Sequence, residues 1–99
     1  MWYAIRGHDR TGTLAARREA RPRHLARLVQ MRELGRLLTA GPLPAIDSPE
    51  PGSAGFHGSL MILEFDTQSE AETWAAADPY VSAGVFERIE VLPYLAVLP

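Results

Sequence analysis

The sequence predicts an α+β fold of the ferredoxin-like kind: a βαββαβ sandwich with an antiparallel sheet and both helices on one face. Three observations carry this reading. Four short stretches rich in branched and aromatic residues alternate along the strand period, two stretches of helix formers separate the first from the second and the third from the fourth, and clusters of Gly, Pro and Asp punctuate the joins. Ninety-nine residues, 46% of them hydrophobic, fit one compact domain covering 1–99 that buries most of its apolar surface with little to spare.

The first strand is read over Trp2 to Gly7, where Tyr3 and Ile5 alternate with Ala4 and Arg6 and the polar cluster His8 to Gly12 can turn. Arg6 either lines something or is solvated. Thr13 to Ala20 holds helix formers, but Pro22 removes an amide donor and biases Arg21 away from helical dihedrals, so a kink or restart is expected near Arg21. The main helix then runs from Pro22 to Leu34 and ends at Gly35, with Leu25, Leu28, Met31 and Leu34 spaced by threes on its inner stripe. His24 lies inside that stripe, on the face of Leu28 and Met31, so its ring is expected to point toward the body of the domain.

Arg36 to Ala40 reads as the second strand, stopped by Gly41-Pro42, and Leu43 to His57 as a long loop of the kind that serves as a cover or binding loop. Gly58 to Phe65 is apolar on both faces until Glu64, which marks a central strand. Thr67 and Ser69, each three positions before a glutamate, offer two overlapping capping boxes for a helix that turns Ala71, Trp74 and Ala75 inward. Asp78-Pro79 ends that helix and starts another turn over Tyr80 to Ala83, closed by Gly84. The last strand lies within Phe86 to Val97 and is broken or turned at Pro93. The segment Tyr94 to Leu98 is too apolar to hang in water, so it packs on this subunit or on a partner. A ferredoxin-like unit leaves one sheet face uncovered; with apolar residues on both faces of the strands, a homodimer is the expected solution.

Composition excludes several classes. A net charge of −2 argues against a general nucleic-acid binder. All ten cations are arginine, a bias that genome composition explains as readily as selection for forked anion contacts. Absence of cysteine removes disulfides, thiolate metal sites and a thiol nucleophile, and no apolar run approaches the ~20 residues that span a bilayer. A soluble cytoplasmic protein is expected. His8 and His57 each adjoin a glycine in turn-like segments without metal-ligand spacing, so neither a metal nor a cofactor is expected. There is no serine elbow and no phosphate loop, which would need a lysine.

His24 and Asp78 are the candidate catalytic pair. Both helices of such a unit cross the same sheet face, so the early turns of the first approach the end of the second, where Asp78 lies. A carboxylate that accepts the proton of one imidazole nitrogen fixes the tautomer and makes the other a general base or acid. The bland alternatives are a helix cap at Asp78 and a core histidine satisfied by a backbone carbonyl at His24. Arg21 is a candidate for an anionic substrate group, Ser59 for a hydrogen bond and Tyr80 for an amphipathic wall. Their alternatives are an acid partner for Arg21, a strand start at Ser59 and core packing for Tyr80.

Four segments together resemble the YciI (YCII-related) family over nearly the whole chain: Arg21-x-x-His24-Leu25-x-x-Leu28, Gly35-Arg36-Leu37-Leu38-x-Ala40-Gly41-Pro42, Pro44-Ala45-Ile46-Asp47 with Ala54-Gly55-Phe56-x-Gly58-Ser59, and Asp78-Pro79-Tyr80-x-x-Ala83-Gly84-Val85. The resemblance implies a dimeric α/β barrel built on the ferredoxin-like unit, with a suspected catalytic histidine and aspartate that fall on His24 and Asp78. Some relatives are linked to ring dehydrochlorination. Pro22 and Arg6 depart from the pattern and bear on the pocket entrance and the substrate. The function expected is cofactor-independent acid–base chemistry (elimination, dehydrochlorination or isomerisation) on a small phenolic or carboxylic compound. The alternative is a non-catalytic small-molecule-binding or oligomerisation module.

Overall fold

Tyr3, Ile5 and Gly7 point to one side of the first strand and are buried, whereas Trp2, Ala4, Arg6 and His8 point to the other and are half-buried. The computed structural model describes all 99 residues and extends this strand, β1, over Trp2–Asp9. It is followed by α1 (Leu14–Glu33), β2 (Leu37–Pro44), β3 (Phe56–Glu64), α2 (Gln68–Ala76), a four-residue helix α3 (Pro79–Ser82) and β4 (Phe86–Tyr94). The sheet order is β2-β3-β1-β4 and every pairing is antiparallel. This is the ferredoxin-like α+β arrangement that the alternation pattern predicts, with β3 in a central place. His8 and His57 lie inside β1 and β3 rather than in turns.

The core lies between one sheet face and the helices, with Ile5, Met61, Leu63 and Val85 almost wholly buried. Thr67 caps α2, its hydroxyl accepting from the backbone N–H of Glu70 at 3.1 Å. Of the two overlapping boxes, the chain uses the earlier one. Gly58 lies so close to β1 that a Cβ there would sit 1.8 Å from the Gly7 carbonyl oxygen, a contact only hydrogen can occupy.

Three boundaries differ from the sequence reading. First, α1 is one continuous helix of 20 residues with Pro22 inside it. Its buried positions, Arg17, Ala20, His24, Leu28 and Met31, follow spacings of three and four through the proline. Leu25 and Leu34 are 36% and 65% exposed and do not belong to the inner stripe. Burial of the face on both sides of Pro22 outweighs its lost hydrogen bond. The proline therefore remains a local cost of about 3 kcal/mol relative to alanine, offset by about 1 kcal/mol of lost unfolded-state freedom. Pro22→Ala is expected to raise the unfolding free energy by roughly 2 kcal/mol, read as a higher denaturant midpoint at constant slope.

Second, β2 continues past Gly41-Pro42 to Pro44, pairing Pro42 with Ser59 and Leu43 with Gly58. Third, β4 runs through Pro93. Both are edge strands, where a missing backbone donor can face away from the ladder. The connection between β2 and β3 shortens accordingly and contains a single 3-10 turn, Gly52–Ala54. Beyond β4, Leu95, Val97 and Leu98 are 75–82% exposed, so the apolar tail does not pack on its own chain. No helix is long and apolar enough to cross a membrane.

Candidate active site

Asp78 sits at the N-cap of α3, where its Oδ1 accepts from the backbone N–H of Tyr80 at 2.8 Å. The same carboxylate reaches α1, with Oδ2 2.8 Å and Oδ1 3.0 Å from His24 Nδ1. The capping reading and the partner reading of Asp78 are therefore both satisfied by one side chain. His24 and Asp78 are 5% and 2% exposed, which rules out water as a competitor for the contact.

A neutral imidazole against a carboxylate must carry its hydrogen on Nδ1, which leaves a lone pair on Nε2. Nε2 has no hydrogen bond within the chain, yet the buried side-chain polar atoms that lack a partner are only Arg6 Nε and an Arg27 terminal nitrogen. Nε2 therefore meets open space. That space is a cavity of about 180 Å³ between α1, β2 and β3, lined among others by Arg17, His24, Leu28, Pro42, Phe56, Ser59 and Tyr80.

Arg17 is the residue the sequence reading missed. It is 4% exposed and held on three sides: Nη1 donates to Asp9 Oδ1 at 3.3 Å, and Nη2 donates to the Gly58 carbonyl at 3.1 Å and to Ser59 Oγ. Its guanidinium carbon lies 4.5 Å from the centre of the Tyr80 ring and 5.0 Å from that of Phe56. The signal was present: Arg17 is seven residues before His24 and so on the same helical face, a phase lost once the helix was divided at Pro22. Asp9 closes β1 beside Arg17. Burial pushes its carboxyl up from the usual 3.8, while the Arg17 charge pulls it back.

The sign of the Asp9 shift gives a pH test. A carboxyl raised in the folded state contributes stability that is full below its unfolded value and is lost as pH rises through the folded one. Asp9→Asn is therefore expected to gain stability relative to the parent protein as pH rises across a window opening near 3.8. Parallel denaturant titrations at acid and neutral pH check this.

Tyr80 is 2% exposed and stacks on the His24 ring, with centroids 4.0 Å apart and planes inclined by 17°. Phe86 meets it edge-on at 5.4 Å. Burial raises the phenol above 10.0, against the opposing pull of Arg17 and Arg21, so it keeps its proton at neutral pH. Ser59 is buried at the cavity floor, while Arg21 lines the mouth and is exposed. The structure thus brings His24, Ser59, Tyr80 and Arg21 around one hollow, with Asp78 behind the His24 ring. Arg27, one turn beyond His24, lies behind them: it donates to the Trp74 carbonyl at 2.6 Å and covers the Trp74 ring at 4.2 Å, tying α1 to the end of α2. No three His, Cys, Asp or Glu side chains converge as a metal site.

A ferredoxin-like unit with a histidine–carboxylate contact at a small cavity defines the class of protein, and comparison with known proteins places it. The chain belongs to the YCII-related domain family, whose model matches residues 1–95. It is 52% identical over 97 residues to Protein YciI of Escherichia coli O6:H1, covering 98% of this chain and 99% of that one. A protein of Haemophilus influenzae is 48% identical over 97 residues with the same coverage. Among solved structures, the chain resembles 5-chloro-2-hydroxyhydroquinone dehydrochlorinase (TftG) from Burkholderia phenoliruptrix AC1100 in complex with 2,5-dihydroxybenzoquinone. The TM-score is 0.83 and the identity 25%, covering 96% of this chain and 94% of that one.

Proposed function

We propose that this protein is a small acid–base enzyme in which His24 moves a proton and Asp78 holds the ring. The observation that carries the reading is the free Nε2 of a carboxylate-bound imidazole at the wall of a ring-sized cavity. A binding module would use that lone pair only to accept a hydrogen bond from its ligand, which a turnover test distinguishes. Likeness to a dehydrochlorinase in complex with 2,5-dihydroxybenzoquinone supports the phenolic member of the small phenolic or carboxylic class.

The step follows from the positions of the side chains. Nε2 takes a proton from a hydroxyl or carbon of the substrate, and the released electron pair moves toward an oxygen facing Arg17 and Ser59. The Arg17 charge and the Ser59 O–H, whose oxygen already accepts from Arg17, stabilise the negative charge that develops there. In an elimination or dehydrochlorination the pair then forms a new double bond and the leaving group departs with its bonding electrons. In an isomerisation the imidazolium returns the proton to another atom. Proton transfer of this kind needs no cofactor. Tyr80, stacked on His24, keeps the ring from swinging out of line.

The reading includes a cytoplasmic homodimer. Rows on the helix-free sheet face read Trp2 beside Glu64 and Tyr94, Ala4 beside Ile62 and Leu92, and Arg6 beside Leu60 and Glu90. Leu92 is 58% exposed there and the apolar tail extends beyond it, so a second copy gives both a cover. Light scattering at micromolar concentration is expected to give twice the 10.9 kDa chain mass; a monomer contradicts this part. For the function, a thermal-shift screen of small phenols and carboxylic acids should yield ligands that raise the melting temperature, since anything binding only the folded state stabilises it. Hits that are bound but never turned over, in either direction, contradict the enzymatic reading.

A further inference from the structure

The cavity carries a charge opposite to that of the protein. The chain has 10 arginines against 12 acidic residues, yet the cavity lining includes Arg17, Arg18, Arg21 and His24 and no carboxylate. His24 is a neutral ring held by Asp78, and Arg17 is neutralised from behind by Asp9. Arg18 and Arg21 are not. Both are exposed, and the six ion pairs of the protein all involve other groups.

Their place on α1 explains why. Positions three and four away from Arg18 are Leu14, Ala15, Arg21 and Pro22; those around Arg21 are Arg17, Arg18, His24 and Leu25. No acid stands at helical spacing, and the nearest neighbours are cations. Elsewhere on the same helix Arg23 pairs with Glu19, Arg32 with Glu33, and Arg27 is held by the Trp74 carbonyl and ring, so the α1 arginines with neither an acid nor a hydrogen-bond partner are those on the flank that faces the cavity. Two like charges one turn apart repel, and an anion received between them removes that repulsion.

We propose that Arg18 and Arg21 are a recognition site for a carboxylate borne by the substrate, set apart from the oxygen that Arg17 and Ser59 receive. The cavity of about 180 Å³ has room for one six-membered ring with small substituents, given that about 150 Å³ accepts benzene. Leu25, Leu28, Pro42 and Phe56 supply apolar walls for its faces. The substrate class is then an aromatic or similarly flat carboxylic acid that also carries a hydroxyl or carbonyl oxygen. The forked guanidinium geometry matches a carboxylate by paired hydrogen bonds. This rests on the acid–base reading for the identity of the site, but not on any proton transfer for the binding.

Calorimetric titration at low ionic strength with 2,5-dihydroxybenzoate and with hydroquinone tests it, because the two rings differ only by the carboxylate. The acid is expected to bind roughly tenfold tighter or more. Combining Arg18→Gln with Arg21→Gln should abolish that preference while leaving hydroquinone affinity within about twofold. Combining Arg23→Gln with Arg32→Gln, an equal loss of charge away from the cavity, should keep the preference, and so should His24→Gln, since recognition does not use the imidazole. Equal affinities in the parent protein, failure of the acid to bind at millimolar concentration, or a preference that survives loss of both arginines overturns the carboxylate site. None of these results touches the acid–base reading, which fails separately if His24→Gln turns substrate over normally.

Discussion

Replacing His24 by glutamine is expected to lower kcat/KM by roughly 10²–10⁴-fold for a substrate that the protein turns over, with the chain still folded. Glutamine keeps a polar planar group near Asp78 and Tyr80 but has no basic nitrogen to take a proton. Asp78→Asn provides the sharper companion. Asparagine is as good an N-cap as aspartate, so α3 keeps its start. Its amide would donate to Nδ1, however, which forces the ring hydrogen onto Nε2 and removes the lone pair from the cavity. A comparable loss of turnover at little cost in stability is therefore expected. Near-normal turnover in both variants would mean that the contact is structural only.

Gly58→Ala is expected to have the largest effect on stability. The new Cβ would lie 1.8 Å from the Gly7 carbonyl oxygen and 3.3 Å from the His8 Cα. Both are backbone atoms of the neighbouring central strand and cannot rotate aside, so β1 and β3 must part where His8 pairs with Gly58. A cost of about 3 kcal/mol or more is expected, a large share of the roughly 5–15 kcal/mol that holds a chain of this length. The damage reaches the site as well, since the Gly58 carbonyl holds Arg17 at 3.1 Å. Gly41→Ala is the control: nothing lies within 4 Å of its added Cβ, and a change within about 0.5 kcal/mol is expected. Denaturant midpoints that fall equally in the two variants would contradict the account of this close approach.

The order of strands and helices was legible because alternation and capping chemistry are local. Tyr3 with Ile5, the Thr67–Glu70 pair and Asp78-Pro79 each mark their element without reference to anything distant. What was not legible depends on neighbours that the sequence does not show. Gly41-Pro42 and Pro93 look like strand stops, but they are tolerated because β2 and β4 lie on the sheet edges. Pro22 looks like a helix start, yet tertiary burial of Ala20 on one side and His24 on the other carries α1 through it. That one boundary had the largest consequence. With the helix divided, Arg17 fell out of phase with His24, and the cation at the heart of the cavity passed unnoticed. The spacing of threes with Leu28 and Met31 likewise points Leu25 and Leu34 inward. Corrected by the continuous helix, the stripe tilts toward Arg17 and Ala20 and leaves both leucines substantially exposed.

The central claim is that Asp78 holds the hydrogen of His24 on Nδ1 and leaves Nε2 open to the cavity. Nitrogen NMR of the imidazole, recorded where the ring is neutral, measures this directly. The account predicts a protonated Nδ1 and an unprotonated Nε2 in the parent protein, with the two roles exchanged in Asp78→Asn. An Nε2–H tautomer in the parent protein, or the same tautomer in both, would contradict it.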